Sequence, residues 1–298
     1  MVQDRALPGE SAVRAGDPIL IGVDVGTSSV RAVAFGASGR RIASDSRPTP
    51  ARPAETGGEY DPDDIFAAVV DCLSAVGTAL AGRSVAGIAV SSVGESCVLS
   101  DRSGRALAPS IVWHDRRTEG QARAIENAIG RERIFQISGH AVEPIFTLAK
   151  LMWMREHWPD AMASARRVLM MADWIAFRLS GEAATDPTLA SRTLYFDIGQ
   201  RRWSDEMLAL AGVDERFPAP LAASGTALGQ VREDVLSATG LAGTPVVAVG
   251  GHDHIVGGLA MGLNEPGTVI DSVGTAEALL VATAVPLADP ETVRRGYV

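Results

Sequence analysis

Two short stretches far apart in the chain each set a carboxylate beside a Gly-rich turn that follows an apolar run: Asp24-Val25-Gly26-Thr27-Ser28-Ser29 and Gly250-Gly251-His252-Asp253. The first pattern suits a phosphate. Gly26 lets the backbone come close to an anion, the amides and hydroxyls of Thr27 and Ser28 donate to its oxygens, and Asp24 can hold Mg²⁺ through water. Arg31, just beyond, adds a charge-assisted contact. Asp253, delivered at the start of a helix, can accept the proton of a hydroxyl as that hydroxyl attacks a phosphoryl group. Plainer readings exist for both: a hairpin turn rich in small polar residues, and a helix N-cap. Together the two stretches read as opposite walls of a phosphate-transfer cleft. Asp271-Ser272-Val273-Gly274-Thr275-Ala276 repeats the strand-Gly-Thr pattern, so Gly274 and Thr275 are candidates for a second phosphate loop.

Two further clusters resemble a sugar site in chemistry. Val93-Gly94-Glu95-Ser96 follows an apolar run, and Trp113-His114-Asp115-Arg116-Arg117 ends one. Carboxylates and Arg bond paired hydroxyls, and an aromatic face covers the C–H side of a sugar ring. Glu95, Asp115 and Arg116 supply the first and Trp113 the second. The alternative is that Trp113 is core and Asp115-Arg116 is charge at a helix start. His252 and His254 also invite a metal-site reading, because His-x-His on a strand puts both rings on one face. The remaining histidines, His114, His140 and His157, lie in unrelated contexts and none forms HExxH.

Composition removes several classes. The formal net charge is −9 and the Arg-Arg pairs are scattered, so no basic stripe exists for a nucleic-acid backbone. Lys150 is the only lysine, and its neighbours are not Gly-rich, which excludes a P-loop. No GxGxxG follows a strand. Cys72 and Cys97 are the only cysteines and suggest neither a disulfide framework nor a zinc site. No apolar run approaches the roughly 18 residues of a membrane span, and the first residues lack the apolar core of a secretory signal. The expectation is a soluble, cytoplasmic protein with no nucleic-acid or membrane partner.

The elements that must place these residues follow from periodicity. Ile19 to Val23, Val30 to Phe35 and Arg40 to Ser44 read as a three-stranded antiparallel meander. Asp61-Pro62-Asp63-Asp64 opens a helix to about Leu80, with Ile65, Val69, Cys72, Leu73 and Val76 on its apolar face. Val85 to Ser91 is again a strand. Shorter strands are expected at Ser96 to Leu99 and Ser110 to Trp113, then helices at Arg116 to Ile129, Ile145 to His157 and Asp173 to Leu179. Val246 to Gly250 restarts the pattern, with a helix from Asp253 to Met261 and a strand from Thr268 to Ser272. This is an α/β chain with a ribonuclease-H-like domain. The expected division is a flexible extension over 1–17, one domain over 18–243 and the incomplete beginning of a second over 244–298.

Taken in order, these segments resemble the FGGY family of carbohydrate kinases. The matching residues are Asp24-Val25-Gly26-Thr27-Ser28, Val112-Trp113-His114-Asp115-Arg116-Arg117-Thr118, Lys150-Leu151-Met152-Trp153, Thr185-Asp186 with Ala190-Ser191, Gly250-Gly251-His252-Asp253 and Ser272-Val273-Gly274-Thr275. The resemblance implies two ribonuclease-H-like domains of the actin, hexokinase and Hsp70 type, with a sugar or polyol and ATP in the cleft between them. It casts Asp253 as the base and Asp24 as the magnesium partner. Gly26, Thr27, Ser28, Gly274 and Thr275 become phosphate contacts, and Glu95, Trp113, Asp115 and Arg116 the sugar side. Relatives often carry Gln-Arg-Glu or Gln-Met-His where this chain has Val93-Gly94-Glu95, which leaves the substrate open and argues against an ordinary glycerol kinase. Family members also continue past Val298, so the adenine-binding part of the second domain is expected to be missing. Three functions follow in order: an ATP-dependent sugar kinase, a catalytically incomplete fragment that at most binds sugar, and a His-x-His metal-dependent hydrolase. A face left uncovered by the missing part can also support a homodimer.

Overall fold

The computed structural model describes residues 17–273, 277–287 and 289–295. The expected extension therefore lies, but for its last residue, outside the described residues, as do Gly274 and Thr275. Strict alternation gives Ile19–Val25 (β1) two unlike faces: Ile19, Ile21, Val23 and Val25 are buried, while Leu20, Gly22 and Asp24 look the other way. Ser29–Gly36 (β2) and Arg41–Pro48 (β3) complete the antiparallel meander, with Arg31 directly across from Asp24. Arg52–Ala54 (β4) and Gly57–Tyr60 (β5) form a side hairpin.

Pro62–Leu80 (α1) begins as its sequence dictates. The Asp61 carboxylate accepts the Asp63 amide, Pro62 fills the first turn, and Asp63 and Asp64 face the positive end of the helix. Its Ile65, Val69, Cys72, Leu73 and Val76 pack in the core. The chain then returns as Val85–Ser92 (β6), parallel to β1.

A long excursion separates β6 from the rest of the sheet. It contains Cys97–Ser100 (β7), Ser110–Ile111 (β8), Glu119–Ile129 (α2), Arg131–Ser138 (α3) and Thr147–His157 (α4). Pro159–Ser164 (α5), Arg167–Met170 (β9), Met171–Ser180 (α6) and Pro187–Ser191 (α7) follow. Phe196–Asp197 (β10), Arg202–Trp203 (β11) and Asp205–Leu208 (α8) close it. Trp174, Phe135 and Tyr195 fill its interior. The strand expected through Trp113 stops at Ile111, because the next residues turn to bury Asp115, and α2 starts three residues later than its apolar period suggested.

Ala227–Gln230 (β12), Glu233–Thr239 (α9) and Val246–His252 (β13) bring the chain back, and the sheet order is β12-β13-β6-β1-β2-β3. Three antiparallel strands followed by two parallel ones is the ribonuclease-H-like arrangement that the sequence predicts. The division expected at residue 244 is corrected. Val246–His252 is not the start of a second sheet but pairs in parallel with β6, whose free edge lets Val247 and Val249 become buried. Asp253–Ala260 (α10) follows directly, and Val269–Val273 (β14) with Glu277–Val281 (β15) form a separate ladder before Pro290–Arg294 (α11).

One glycine makes the β13–β6 contact possible. The ladder is irregular between Ala248 and Gly251, and a Cβ on Gly250 would overlap the Val90 carbonyl oxygen. Backbone cannot swing aside as a side chain can. Gly250→Ala is therefore expected to lower stability by about 3 kcal/mol in urea unfolding. Gly257→Ala, where a Cβ meets nothing within 4 Å inside α10, is expected to be neutral or to gain up to about 1 kcal/mol. Equal midpoints for the two variants would show that β13 does not approach β6 this closely.

Candidate active site

Three parallel strands end side by side. Asp24 on β1 and Gly251 on β13 are both register partners of Ser91 on β6, so the two outer residues are two strand spacings apart, about 10 Å. Asp253 opens α10 immediately after β13. The carboxyl ends of parallel strands are where ligands gather in such sheets. Here they border a cleft of about 290 Å³ lined by Asp24, Arg31, Ser91, Gly250, Gly251 and Val256, among others.

On the first wall, Asp24 Oδ1 accepts a hydrogen bond from Ser91 Oγ at 3.1 Å. Burial raises the Asp24 pKa, against the opposing pull of the Ser91 hydroxyl and the Arg31 charge. The turn beyond it is fixed by its carbonyls. Thr49 Oγ1 donates to the Gly26 oxygen at 2.7 Å and the Thr49 amide to the Ser28 oxygen at 3.1 Å. Thr27 and Ser28 stay exposed, with no partner for their amides among the described residues. Gly26 is not held in a glycine-only conformation, and a Cβ there would make only ordinary contacts.

On the second wall, Asp253 Oδ1 accepts the His254 amide at 2.7 Å and lies 3.2 Å from His252 Nε2. Its pKa is pushed up to about 6, chiefly by burial, with the negative charges of Asp24 and Glu95 adding to the rise. Those two charges report the geometry: the carboxylates of residues 24, 95 and 253 share one neighbourhood. The N-cap position belongs to His252, so Asp253 is the first helical residue.

Lys150, the lysine that rules out a P-loop and opens one of the matched segments, ties two loops of the site together. Its buried Nζ donates to the carbonyls of Glu95 at 3.2 Å, Val112 at 3.0 Å and Trp113 at 3.3 Å, one for each N–H. The Glu95 loop and the Trp113 loop are thereby tied together. Burial lowers the Lys150 pKa to about 8, and the Glu95 charge opposes the drop. A solitary lysine inside the buried run Leu148-Ala149-Lys150-Leu151 was the available signal. Glu95 itself is buried, in the left-handed region at φ 57, with Oε1 accepting from Arg192 Nε at 2.6 Å. Half-buried Trp113 reaches the first wall, its Nε1 donating to Thr27 Oγ1 at 2.9 Å.

Two expected sugar contacts are corrected. Asp115 is fully buried, and both its oxygens are occupied. Oδ1 accepts from the Arg117 amide and Nε at 2.8 and 3.0 Å, and Oδ2 from Gly58 N, Arg117 Nη2 and Thr56 Oγ1 at 2.9, 2.9 and 3.2 Å. No lone pair remains for a sugar; Asp115 anchors the β4–β5 hairpin to the Trp113 loop. Arg116 is exposed and pairs with Glu119 in the first turn of α2 at 2.8 Å, which is the helix-start role. The His-x-His reading also fails, because β13 ends at His252 and His254 belongs to α10. Their rings stand 5.6 Å apart, and among the described residues no three His, Cys, Asp or Glu side chains are grouped to hold a metal.

Asp186, matched without a role, and Thr188, which the motifs did not include, together hold the segment before Asp253 from behind. Buried Asp186 caps α7 through Leu189 N at 3.0 Å and accepts Thr188 Oγ1 and Ser224 Oγ, both at 2.8 Å. Thr188 Oγ1 in turn accepts the His252 amide at 2.8 Å. The end of β13 is thus pinned one residue before Asp253.

Residues 19–260 match the N-terminal domain of the FGGY family of carbohydrate kinases. The chain is 30% identical over 273 residues to a xylulose kinase of Klebsiella pneumoniae, covering 91% of this chain and 56% of that one. It is 31% identical over 270 residues to an L-fuculokinase of Escherichia coli strain K12, covering 89% and 57%. A crystal structure of xylulose kinase from Rhodospirillum rubrum aligns with a TM-score of 0.86 at 28% identity, over 91% of this chain and 56% of that one. The chain spans about half the length of the curated relatives it matches. With the sheet order, the paired walls and the match over most of its residues in agreement, the chain belongs to the FGGY family of carbohydrate kinases.

Proposed function

We propose that this protein transfers the terminal phosphoryl group of ATP to a hydroxyl of a neutral or charged sugar or polyol, and that it does so in the cytoplasm, where ATP is plentiful. The observation that carries the reading is Asp253, a carboxylate with its pKa near 6 set between a phosphate-type turn and the Glu95 loop. In this reading the acceptor lies against Glu95 and Trp113 with one hydroxyl toward Asp253. As that oxygen bonds to phosphorus, its proton passes to the Asp253 carboxylate, and the bond from phosphorus to the ADP oxygen breaks. Thr27 and Ser28 donate to the phosphate oxygens and Arg31 offsets their charge.

Asp24 fits the Mg²⁺ that such a reaction uses. One oxygen is held by Ser91 and, among the described residues, no hydrogen bond occupies the other, and Mg²⁺ is commonly held by one or two carboxylates, waters and substrate phosphates. When bound, the ion neutralises phosphate charge. A second reading, sugar binding without turnover, is favoured by one specific fact. The acceptor side, with Glu95, Lys150 and Arg192 interlocked, is assembled by the described residues alone.

The test is ADP release with a panel of pentoses, hexoses and polyols, on this chain and on any longer form its reading frame encodes. Asp253→Asn is expected to lower kcat by about 10²- to 10⁴-fold with acceptor binding little changed. A variant as active as the parent would remove Asp253 from its role.

The pH dependence follows from the same group. The base works when ionised, so kcat/KM is expected to fall as pH drops through about 6; a profile flat from pH 5 to pH 8 would be roughly incompatible with Asp253 as base. Stability runs the opposite way. The folded pKa is raised, so ionising Asp253 destabilises the native state as pH rises from the ordinary 3.8 through about 6. Asp253→Asn is therefore expected to be more stable than the parent by about 1–3 kcal/mol at pH 8, with the gain fading toward pH ~4.

A further inference from the structure

The pairs of neighbouring arginines are scattered along the sequence, and folding gives one of them a third member. Arg166 and Arg167 enter β9 opposite the end of β7: Ser100 is the register partner of Arg167, and the Arg166 amide donates to the Ser100 oxygen at 2.8 Å. Beyond Ser100 the chain turns sharply. The Gly104 amide donates to the Asp101 oxygen at 3.2 Å, closing the turn Asp101-Arg102-Ser103-Gly104, and Trp174 Nε1 of α6 donates to the Gly104 oxygen at 2.9 Å, seating it. Arg102 rides on that turn. Arg102, Arg166 and Arg167 thereby border one hollow of about 180 Å³, with Leu169, Phe177 and Ala183 as its apolar wall. It shares no residue with the cleft that Asp24 lines.

No carboxylate neutralises these three guanidinium groups. Arg102 and Arg166 form no ion pair or side-chain hydrogen bond among the described residues. Half-buried Arg167 donates from Nη1 to backbone alone, to the oxygens of Pro218 at 3.1 Å and Arg216 at 3.5 Å. The acids at hand are engaged elsewhere. Asp101 Oδ1 accepts from Ser103 N, Ser103 Oγ and Arg105 N at 2.8, 2.7 and 3.1 Å, and Oδ2 from Arg105 Nε at 3.1 Å. Asp214, whose carboxyl the Arg166 charge helps to lower, is held by Arg216 through both oxygens at 3.1 and 2.5 Å. Glu182 and Glu215, close in sequence to these groups, are exposed and pair with no arginine among the described residues. Even with both counted, five arginines stand against four acids, in a chain whose net charge is −9. Burial and the Arg166 charge both lower the Arg167 pKa, as expected of cations crowded without relief.

We propose that the hollow bordered by Arg102, Arg166 and Arg167 is a binding site for a phosphate group, free or carried as a monoester on a small molecule. The inference stands without the kinase reading above. A phosphate brings nearly two negative charges and three strong acceptor oxygens, which planar guanidinium groups bind through parallel N–H bonds. Its arrival relieves the repulsion among cations that the β7–β9 ladder and the Asp101 turn hold together. The same turn keeps the Asp101 carboxylate occupied, so the protein does not fill the site with its own anion. Leu169, Phe177 and Ala183 offer the organic part of a monoester an apolar surface. A nucleic-acid backbone fits poorly, because its phosphates come in a row and these arginines converge on one point.

The experiment is calorimetric titration of this chain with inorganic phosphate and with glycerol 3-phosphate, repeated on Arg102→Gln, Arg166→Gln, Arg166→Lys and Arg31→Gln. The expected result is a saturable binding event that Arg102→Gln and Arg166→Gln each weaken by about tenfold. Arg166→Lys, which keeps the charge but loses the fork, is expected to fall between Arg166→Gln and the parent. Arg31→Gln, altered in the separate cleft, is expected to leave the event within about twofold of the parent. Arg102 and Arg166 are exposed and unpaired, so their variants are expected to fold, and the Tm of each without ligand checks this. Phosphate is expected to raise the Tm of the parent and to leave that of the Arg102→Gln, Arg166→Gln double variant nearly unchanged. Tighter binding of glycerol 3-phosphate than of inorganic phosphate assigns the site to monoesters, and the reverse order assigns it to free phosphate. Binding of neither compound overturns the inference. So does binding that Arg31→Gln abolishes while folded Arg102→Gln and Arg166→Gln keep it, since the phosphate then sits in the cleft.

Discussion

The parallel pairing of β6 with β1 on one edge and β13 on the other is the constraint from which the site follows. Residues 24 and 253 belong to distant parts of the chain, and a shared neighbour strand brings their carboxylates close enough for each charge to be felt by the other. That neighbour is Ser91, register partner of both Asp24 and Gly251. The contact depends on a missing side chain at Gly250, because the β13 backbone runs against the Val90 carbonyl. Secondary structure alone would not have produced the cleft. Its walls come from two strands, and its depth comes from how closely the third lets them approach.

Burial acts on two charged groups of this site in opposite chemical directions. It lowers the Lys150 ammonium to about 8 and raises the Asp253 carboxyl to about 6, in each case by penalising the charged form. The consequences differ because the partners differ. Lys150 has three carbonyls matched to its three N–H groups and remains a charged clamp at neutral pH. Asp253 receives one amide hydrogen bond and faces further carboxylates, so its proton is exchangeable near neutrality. A buried ion with full partners is suited to positioning, and one with too few is suited to exchanging a proton.

Most of the sheet was legible in the sequence, because strand and helix periods and the Asp61-Pro62 start signal are local. β1, β2, α1 and β6 stand within a residue or two of their expected bounds. The expected break at residue 244 shows where that kind of reading stops. An apolar run of Val246-Val247-Ala248-Val249 announces a buried strand but carries no mark of which sheet will bury it. Likewise Trp113 continues an apolar pattern that the chain abandons at Ile111, because a buried Asp115 two residues on needs five hydrogen bonds that only a turn can supply.

At the site, the groups that act through local backbone were readable, and those that act through distant partners were not. Asp24 and Asp253 sit at strand ends that the sequence marks with glycine. Arg192 carries no such mark. Its partner Glu95 is 97 positions away, and nothing local distinguishes it from the exposed Arg116. Asp115 errs in the other direction: beside Trp113 and Arg116 it has the composition of a sugar contact, yet Arg117 and the Gly58 amide consume its acceptors. A carboxylate's type and neighbours in sequence state what it can bond. Which bonds are left over for a ligand is decided by the contacts that folding makes first.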